Sequence, residues 1–144
     1  AGFLTSSELQ EKVILASIVE REYRLPAEAP IMAGVFYNRL KKNIALQSCA
    51  TVVYVITEIE GKPHPTRLFD KDIQIKNEFN TYVNRGLPPA PISNPGLTAL
   101  LASFRPAATS YYYFRLIDGN SGAHYFSETF SEHIDAAALI PKAK

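Results

Sequence analysis

The clearest periodic pattern in the chain lies near its N-terminus and is helical. Thr5 followed three residues later by Glu8 fits a capping box, in which each side chain satisfies a backbone N–H at the start of a helix. The run VILASIV over residues 13–19 is then apolar almost all round. We therefore predict a helix over residues 6–23 that is covered by protein on several sides.

The segments after this helix give less uniform signals for secondary structure. A second helix is expected over residues 30–43, because Pro30 is tolerated in a first turn and two lysines suit the C-terminal end. Residues 51–57 leave two interpretations open. Their β-branched side chains favour a strand, whereas Ser48 ahead of them is a suitable helix cap.

Residues 86–96 read GLPPAPISNPG, with four prolines and two glycines. Proline fixes its own backbone and restricts the residue before it, so this segment is predicted to be a stiff, extended loop. Asn94 and Pro95 are expected to be the N-cap and first residue of a helix that stops at Pro106.

The C-terminal part predicts a β-hairpin, with strands over residues 111–117 and 123–127 joined by the turn DGNSG. A last helix is expected over residues 129–139, and Asp70 is expected to cap a short helix earlier in the chain. This order of elements predicts one α+β domain over residues 1–144, with several helices packed against a small antiparallel sheet.

Composition narrows the function classes. The 144 residues include 47% apolar residues and carry a net charge of +1, so one domain can form a core without metal or disulfide. That charge supplies no field for gripping nucleic acid. The longest apolar runs are too short to span a bilayer, so we expect a soluble, monomeric domain excised from a longer protein.

The first helix carries the most informative polar residue. At about 100° per residue, Glu20 lies on the same side as three apolar residues. These are Leu9, Val13 and Ala16. A carboxyl group there loses solvation, which favours the protonated form that a general acid needs. Glu22 is predicted to point the other way. The alternative for Glu20 is a structural ion pair with Arg24 or Arg39.

Other chemistries have weaker support. His124 and His133 lie on elements that can converge, but two histidines without a carboxylate or cysteine at ligand spacing are a weak zinc signal. Cys49 is the single cysteine, and a free cysteine is more often a small buried residue than a nucleophile. We therefore expect no metal and no organic cofactor.

Six segments, in this order, resemble the catalytic domain of the MltG-type, or YceG-like, endolytic murein transglycosylases, and they cover nearly the whole chain. They are LASIVERE (15–22), VFYNRL (35–40), LQSCATVVY (46–54), FNTYVNRGLPPAPISNPG (79–96), YYFRL (112–116) and GAHYFSETFSEH (122–133). Four positions depart from the family pattern. Cys49 and Ala50 replace a common Asp-Pro, Phe79 replaces a tyrosine and Ala90 replaces a glycine. These departures affect the local backbone at the wall of the groove that the resemblance implies for the glycan strand.

The resemblance implies cleavage of the bond between N-acetylmuramic acid and N-acetylglucosamine without water, which leaves a 1,6-anhydro end. Glu20 matches the family's first glutamate in the IVE(K/R)E segment and is implied as general acid and then base. His124 is implied to lie nearby. The candidates for binding sugar hydroxyl and acetamido groups are Gln47, Ser48, Asn80, Thr81, Tyr82 and Asn94.

Two alternatives stay open: a hydrolase, and a glycan-binding module without activity. Hydrolysis needs a second carboxylate, for which the chain offers Glu58, Glu60, Asp70 and Asp72. The resemblance also implies a protein tethered by an N-terminal transmembrane helix, with this domain outside the cytoplasmic membrane. Its implied partners are peptidoglycan strands and the synthases that polymerise murein.

Overall fold

The computed structural model describes residues 3–140, which form α-helices and one two-stranded antiparallel sheet, so the α+β expectation is confirmed. The helices are α1 (Ser6–Glu22), α2 (Ala29–Lys41), α3 (Cys49–Tyr54), α4 (Asp70–Ile73), α5 (Leu97–Phe104) and α6 (Phe130–Asp135). The strands are β1 (Tyr113–Asp118) and β2 (Ala123–Ser127). Short 3₁₀ turns occupy Pro26–Glu28 and Ala136–Leu139.

The core forms where α1, α2 and α5 pack against one another. Every residue of α1 from Ile14 to Val19 is buried, as the all-round apolar run predicts. Phe36 of α2 meets Phe114 of β1 edge to face, with ring centroids 5.7 Å apart. The contact is of the geometry that aromatic pairs prefer, and it joins the sheet to the helical core.

The ends of the helices confirm some predicted caps and correct others. The Thr5 hydroxyl accepts the Glu8 N–H at 3.0 Å, which confirms the predicted start of α1. The cap of α5 is Gly96, not Asn94, so that prediction was wrong by two positions. Asp70 is the first residue of α4 and not its cap, which is Phe69.

Residues 51–57 are helical, which settles the two interpretations. Helix α3 continues into a π-helical turn over Val55–Ile59. Thr51 is fully buried, and its hydroxyl donates to the Ser48 carbonyl at 2.7 Å. Burial and this local hydrogen bond outweigh the preference of β-branched side chains for strands.

The hairpin is regular over most of its length and irregular near its turn. Tyr113 pairs with Ser127 and Leu116 with His124, and the register shifts between Leu116 and Asp118. Gly122 closes the turn with a φ of 82°, a conformation that glycine adopts at little cost. This register places His124 on β2, where it contacts Glu28 in the 3₁₀ turn between α1 and α2.

Within residues 3–140, no helix combines the length and the apolar character that crossing a membrane requires.

A glycine in α2 lies close against the backbone of Ala107. A Cβ atom at Gly34 would lie 2.5 Å from the carbonyl oxygen of Ala107. Gly34→Ala should therefore lower the free energy of unfolding by about 1–3 kcal/mol, the range for overpacked sites. Urea denaturation followed by circular dichroism measures it. Gly119→Ala is the matched control, since a Cβ there meets nothing within 4 Å. Equal stability of both variants would contradict the close approach.

Candidate active site

A cavity of about 240 Å³ opens where the C-terminal end of α1 meets α2, the start of α3, β1 and α6. Glu22 is the one carboxylate among the described residues that line it. The other polar side chains of the wall are Arg39, Gln47, Ser48, Cys49, Tyr82 and His133, together with aromatic residues of β1 and α6. A concave site with few convergent polar groups is the usual form of a ligand site.

Burial perturbs the one carboxyl group that lines this cavity, that of Glu22. The Ser48 hydroxyl donates a 2.7 Å hydrogen bond to Glu22 Oε1. Burial raises the pKa of Glu22, and this effect exceeds the opposing effects of the Ser48 hydrogen bond, the charge of His124, the Ala50 N–H and Arg21. Glu22 therefore keeps its proton to higher pH than an exposed glutamate, as a general acid must.

A network of buried hydroxyl groups fixes Ser48 beneath Glu22. The Thr81 hydroxyl accepts the Ser48 N–H at 2.9 Å and lies 2.9 Å from the Thr51 hydroxyl. Thr51 in turn accepts the Thr81 N–H at 3.2 Å. Thr81, predicted to bind sugar, is buried in this network and does not line the cavity. Its hydroxyl positions the residue that contacts the carboxyl.

Gln47 lines the cavity with an unusual backbone. Its φ of 53° lies in the left-handed region, which costs a residue with a side chain roughly 1–2 kcal/mol. The Gln47 N–H donates to the Thr81 carbonyl at 3.2 Å, which holds the conformation in place. Such strain persists where the surroundings over-determine it, and it clusters at functional sites.

Tyr82 and Cys49 meet on the same wall, with the phenol oxygen 3.1 Å from the sulfur. Burial, and after it the contact with Cys49, raises the pKa of Tyr82, so its hydroxyl stays protonated. Asn80 is fully buried. Its amide donates to the carbonyls of Ile73 and Ile75, and its oxygen accepts the Tyr82 N–H at 2.9 Å. Asn80 thus anchors the loop that presents Tyr82 and does not reach the cavity.

Two basic residues form another part of the wall. Arg39 is buried and donates to the carbonyls of Tyr112 at 2.7 Å and Ala45 at 2.6 Å. His133 stacks on Tyr113 with ring centroids 5.2 Å apart. Burial lowers the pKa of His133, and the positive charges of Arg115 and Arg39 act in the same direction. His133 is therefore neutral at pH 7, which leaves Arg39 as the cation of this wall.

His124 lies behind the cavity wall and not on it. Its Nδ1 is 3.0 Å from Glu28 Oε1, and its backbone N–H donates to both oxygens of the same carboxylate. The exposed fractions of the two side chains are 7% and 15%. Residues 3–140 contain no group of three or more histidine, cysteine, aspartate or glutamate side chains placed to hold a metal.

The two glutamates at the end of α1 point to different neighbours, as predicted, but the one that faces the cavity is Glu22 and not Glu20. Glu20 does not line the cavity, and its Oε1 accepts the Gly96 N–H at 2.7 Å, at the N-terminal end of α5. Glu22 faces the cavity, although it was predicted to point away from the functional side. The helical pattern correctly placed Glu20 against protein, but the protein on that side is α5.

The binding candidates divide in the same way. The structure brings Gln47, Ser48 and Tyr82 together around Glu22. It places Asn80, Thr81, Asn94 and His124 elsewhere, with Asn94 exposed beyond the cavity. Glu22, Arg39 and Cys49 line the cavity, although the sequence did not predict them there. The sequence carried one indication of this: the helix is apolar on all sides over residues 13–19, so it gives no reason to prefer the face of Glu20 over that of Glu22.

Comparison with known proteins gives one consistent family. The model of the YceG-like family matches residues 3–138. A Bacillus subtilis protein named endolytic murein transglycosylase is 40% identical over 119 residues, which are 83% of this chain and 31% of that protein. A protein of the same name from Streptococcus pneumoniae strain D39 is 30% identical over 125 residues, covering 87% of this chain and 22% of that protein.

A solved structure agrees with these matches. The crystal structure of a YceG-like protein from Listeria monocytogenes superposes with a TM-score of 0.79 at 37% identity, covering 89% of this chain and 40% of the other. The chain thus spans less than half the length of each of these relatives.

The contact between Glu20 and Gly96 predicts a role in stability. Glu20→Ala should lower the free energy of unfolding by about 0.5–2 kcal/mol, because it removes an acceptor for an orphan N–H and a negative charge at the start of α5. Glu20→Gln should cost less, since its amide oxygen still accepts the N–H. Chemical denaturation measures both. Glu11→Ala, at an exposed position of α1, is the control, and equal effects of the two alanine variants would refute the role.

The raised pKa of Glu22 predicts a pH-dependent stability difference. The folded state binds more protons than the unfolded chain between the ordinary glutamate pKa of 4.5 and the raised pKa, so this contribution to stability is lost as pH rises through that range. The stability of Glu22→Gln relative to the wild type should therefore increase with pH from about 4.5, by roughly 1.4 kcal/mol per unit of pKa shift. Urea denaturation at a series of pH values measures it. A difference that is constant with pH would contradict the burial argument.

Proposed function

The chain belongs to the YceG-like family, and on that premise we propose that it is a lytic transglycosylase domain that cuts peptidoglycan strands internally. The observation that carries the proposal is a single carboxyl group with a raised pKa in a cavity lined by polar and aromatic side chains. The names of the relatives from Bacillus subtilis and Streptococcus pneumoniae support the choice of substrate.

The proposed reaction needs one group that first donates and then accepts a proton. Protonated Glu22 donates to the glycosidic oxygen between N-acetylmuramic acid and N-acetylglucosamine, and the bond from that oxygen to the muramyl C1 breaks. The muramyl C6 hydroxyl then bonds to C1 and gives its proton to the Glu22 carboxylate. A 1,6-anhydro ring closes, the enzyme regains its proton and no water is consumed.

The neighbours of Glu22 suit both stages. Because the Ser48 hydroxyl donates to Oε1, the proton in the acid form is best carried by Oε2. The same hydrogen bond stabilises the carboxylate once the proton has left. Gln47 and Tyr82 are our candidates for holding sugar hydroxyl and acetamido groups, and Tyr112 and Phe130 offer rings to the sugar faces.

We assign the catalytic role to Glu22 in place of Glu20, the residue that the resemblance implied. A proton-transfer group must lie within hydrogen-bond reach of the bond it cleaves. Glu22 borders a space that a sugar ring can enter, whereas the Glu20 carboxylate is occupied by the Gly96 N–H. Two glutamates separated by one residue thus receive different roles.

A single carboxylate favours the lytic reaction over hydrolysis. Glycoside hydrolases generally place a second carboxyl group about 5–9.5 Å from the first, to act as nucleophile or to activate water. Among the described residues around the cavity, Glu22 has no such companion, and Glu60 and Asp72 line a separate depression. Glu58 and Asp70 also lie outside the cavity.

We extend the proposal to location and partners. Peptidoglycan lies outside the cytoplasmic membrane, so a domain that acts on it works on that side. Enzymes that polymerise murein are the proposed neighbours, since an internal cut limits the length of a strand under synthesis.

Product analysis tests the reaction type. Polymeric murein incubated with the protein should release fragments with 1,6-anhydro ends, which are lighter by one water than hydrolysis products. Mass spectrometry distinguishes them. Hydrated ends would identify a hydrolase, and the absence of fragments despite binding would identify a glycan-binding module.

Glu22→Gln tests the proposed acid and base. The amide keeps the size of the side chain but cannot donate the proton, so turnover should fall by roughly 10²–10⁴, the usual contribution of general acid–base catalysis. Release of anhydro-muropeptides from murein measures turnover, and murein binding should survive.

Glu20→Gln is the matched control on the same helix. It should keep most of the activity, because its carboxylate contacts a backbone N–H outside the cavity. Near-normal turnover in a folded Glu22→Gln variant, or a larger loss in Glu20→Gln, would overturn the assignment.

A further inference from the structure

The Arg39 guanidinium is a buried charge without a charged partner in the described part of the chain. The residue is 6% exposed, and no carboxylate lies within ion-pair distance of it. Its Nε and Nη1 donate to the carbonyls of Tyr112 and Ala45. Its Cζ lies 4.8 Å from the centre of the Tyr113 ring. These contacts fix the guanidinium in one orientation.

The third nitrogen of Arg39 is left for a ligand. Nη2 makes no hydrogen bond within residues 3–140, and it is not among the polar atoms that are sealed from solvent. Arg39 lines the cavity, and Nη2 is the guanidinium nitrogen left to bind a ligand there. A buried cation is costly unless an anion or several dipoles compensate it. The two carbonyl groups compensate part of the Arg39 charge, and an anionic group on a ligand would compensate the rest.

The cavity also continues past Arg39 along the surface. A neighbouring depression shares Tyr112, Tyr113 and Phe130 with it and extends to Lys42. Phe130 is 59% exposed at the junction. Glu128 borders the far depression, where its carboxylate accepts the Ser110 hydroxyl at 2.5 Å. The groove therefore has room for a substituent beside the sugar that Glu22 acts on.

We propose that Arg39 binds a carboxylate carried by the muramyl residue of the glycan strand. The inference rests on the proposed function, because it takes the strand as the ligand of this groove. The sugar rings of murein are neutral, and their hydroxyl and acetamido groups need no buried cation. Negative charge enters the strand at the lactyl group on the muramyl C3 oxygen, or at the stem peptide attached to it. Guanidinium and carboxylate are matched in charge and in planar geometry.

Chemical changes to the substrate test this without altering the protein. Uncrosslinked strands are prepared as two matched pairs. The peptide-free pair carries lactyl groups either as free carboxylates or as methylamides. The peptide-bearing pair carries stem peptides whose carboxylates are either free or converted to methylamides. Binding to the Glu22→Gln protein and KM for the wild type are measured for each. Neutralising the recognised carboxylate should weaken binding about ten- to hundredfold, the range for hydrogen bonds between charged groups.

The four substrates identify the source of the carboxylate. A difference confined to the peptide-free pair assigns the lactyl group, and a difference confined to the peptide-bearing pair assigns the stem peptide. Equal binding within both pairs would overturn the proposal. If the proposed function is wrong, the strands are either left intact or cleaved to hydrated ends, yet the binding comparison still reports on Arg39. If only this inference is wrong, all four strands are cleaved with similar KM.

Two variants locate the effect at Arg39. Arg39→Lys keeps the charge and should retain part of the preference for the carboxylate. Arg39→Gln should bind the carboxylate and methylamide strands equally, with a larger change in KM than in kcat for the free carboxylate. If Arg39→Gln does not fold, the Lys variant and the substrate series decide. An unchanged preference in a folded Arg39→Gln protein would refute the assignment.

Discussion

The desolvation of one carboxyl group, that of Glu22, is the constraint on which the site depends. A buried carboxylate is unfavourable, so its surroundings must either neutralise it or hold its proton. Here burial outweighs the Ser48 hydrogen bond and the electrostatic effect of His124, both of which lower the pKa of Glu22. The protein must therefore keep Ser48 in place, and the buried hydroxyls of Thr51 and Thr81 do so. The buried side chains of Ser48, Thr51 and Thr81 thus support one carboxyl group.

Helix α1 can present this carboxyl group because the helix is surrounded. Its central residues pack against α2, α3 and α5, so both of its faces are interior surfaces. Glu20 and Glu22 leave the same helix towards different neighbours. Glu20 meets a backbone N–H at the start of α5, which donates a hydrogen bond to its Oε1. Glu22 meets a cavity whose walls are partly aromatic. Chemically identical side chains acquire different properties from what faces them.

The helices and the hairpin were predictable because their signals are local. The Thr5 cap, the apolar run of α1 and the turn before β2 each act over a few residues, and the structure confirms them. The orientation of Glu22 was not predictable in this way. A helical pattern separates buried from exposed sides, but it does not say which buried side borders a cavity. Asn80 was predicted to bind sugar, and its actual contacts were not predictable for a similar reason. Its amide donates to the backbone carbonyls of Ile73 and Ile75, groups that any sequence would offer.

The cavity wall draws on both ends of the domain, with Glu22 from the first helix and Phe130 and His133 from the last. These residues stand about 110 positions apart, so bringing them together requires closing nearly the whole chain into one loop. No shorter stretch of the sequence carries the whole lining of the cavity. During synthesis or export, the cavity would be complete only when the final helix docks. Until then it would lack the part of its wall that Phe130 and His133 supply, which makes the complete site a property of the finished fold.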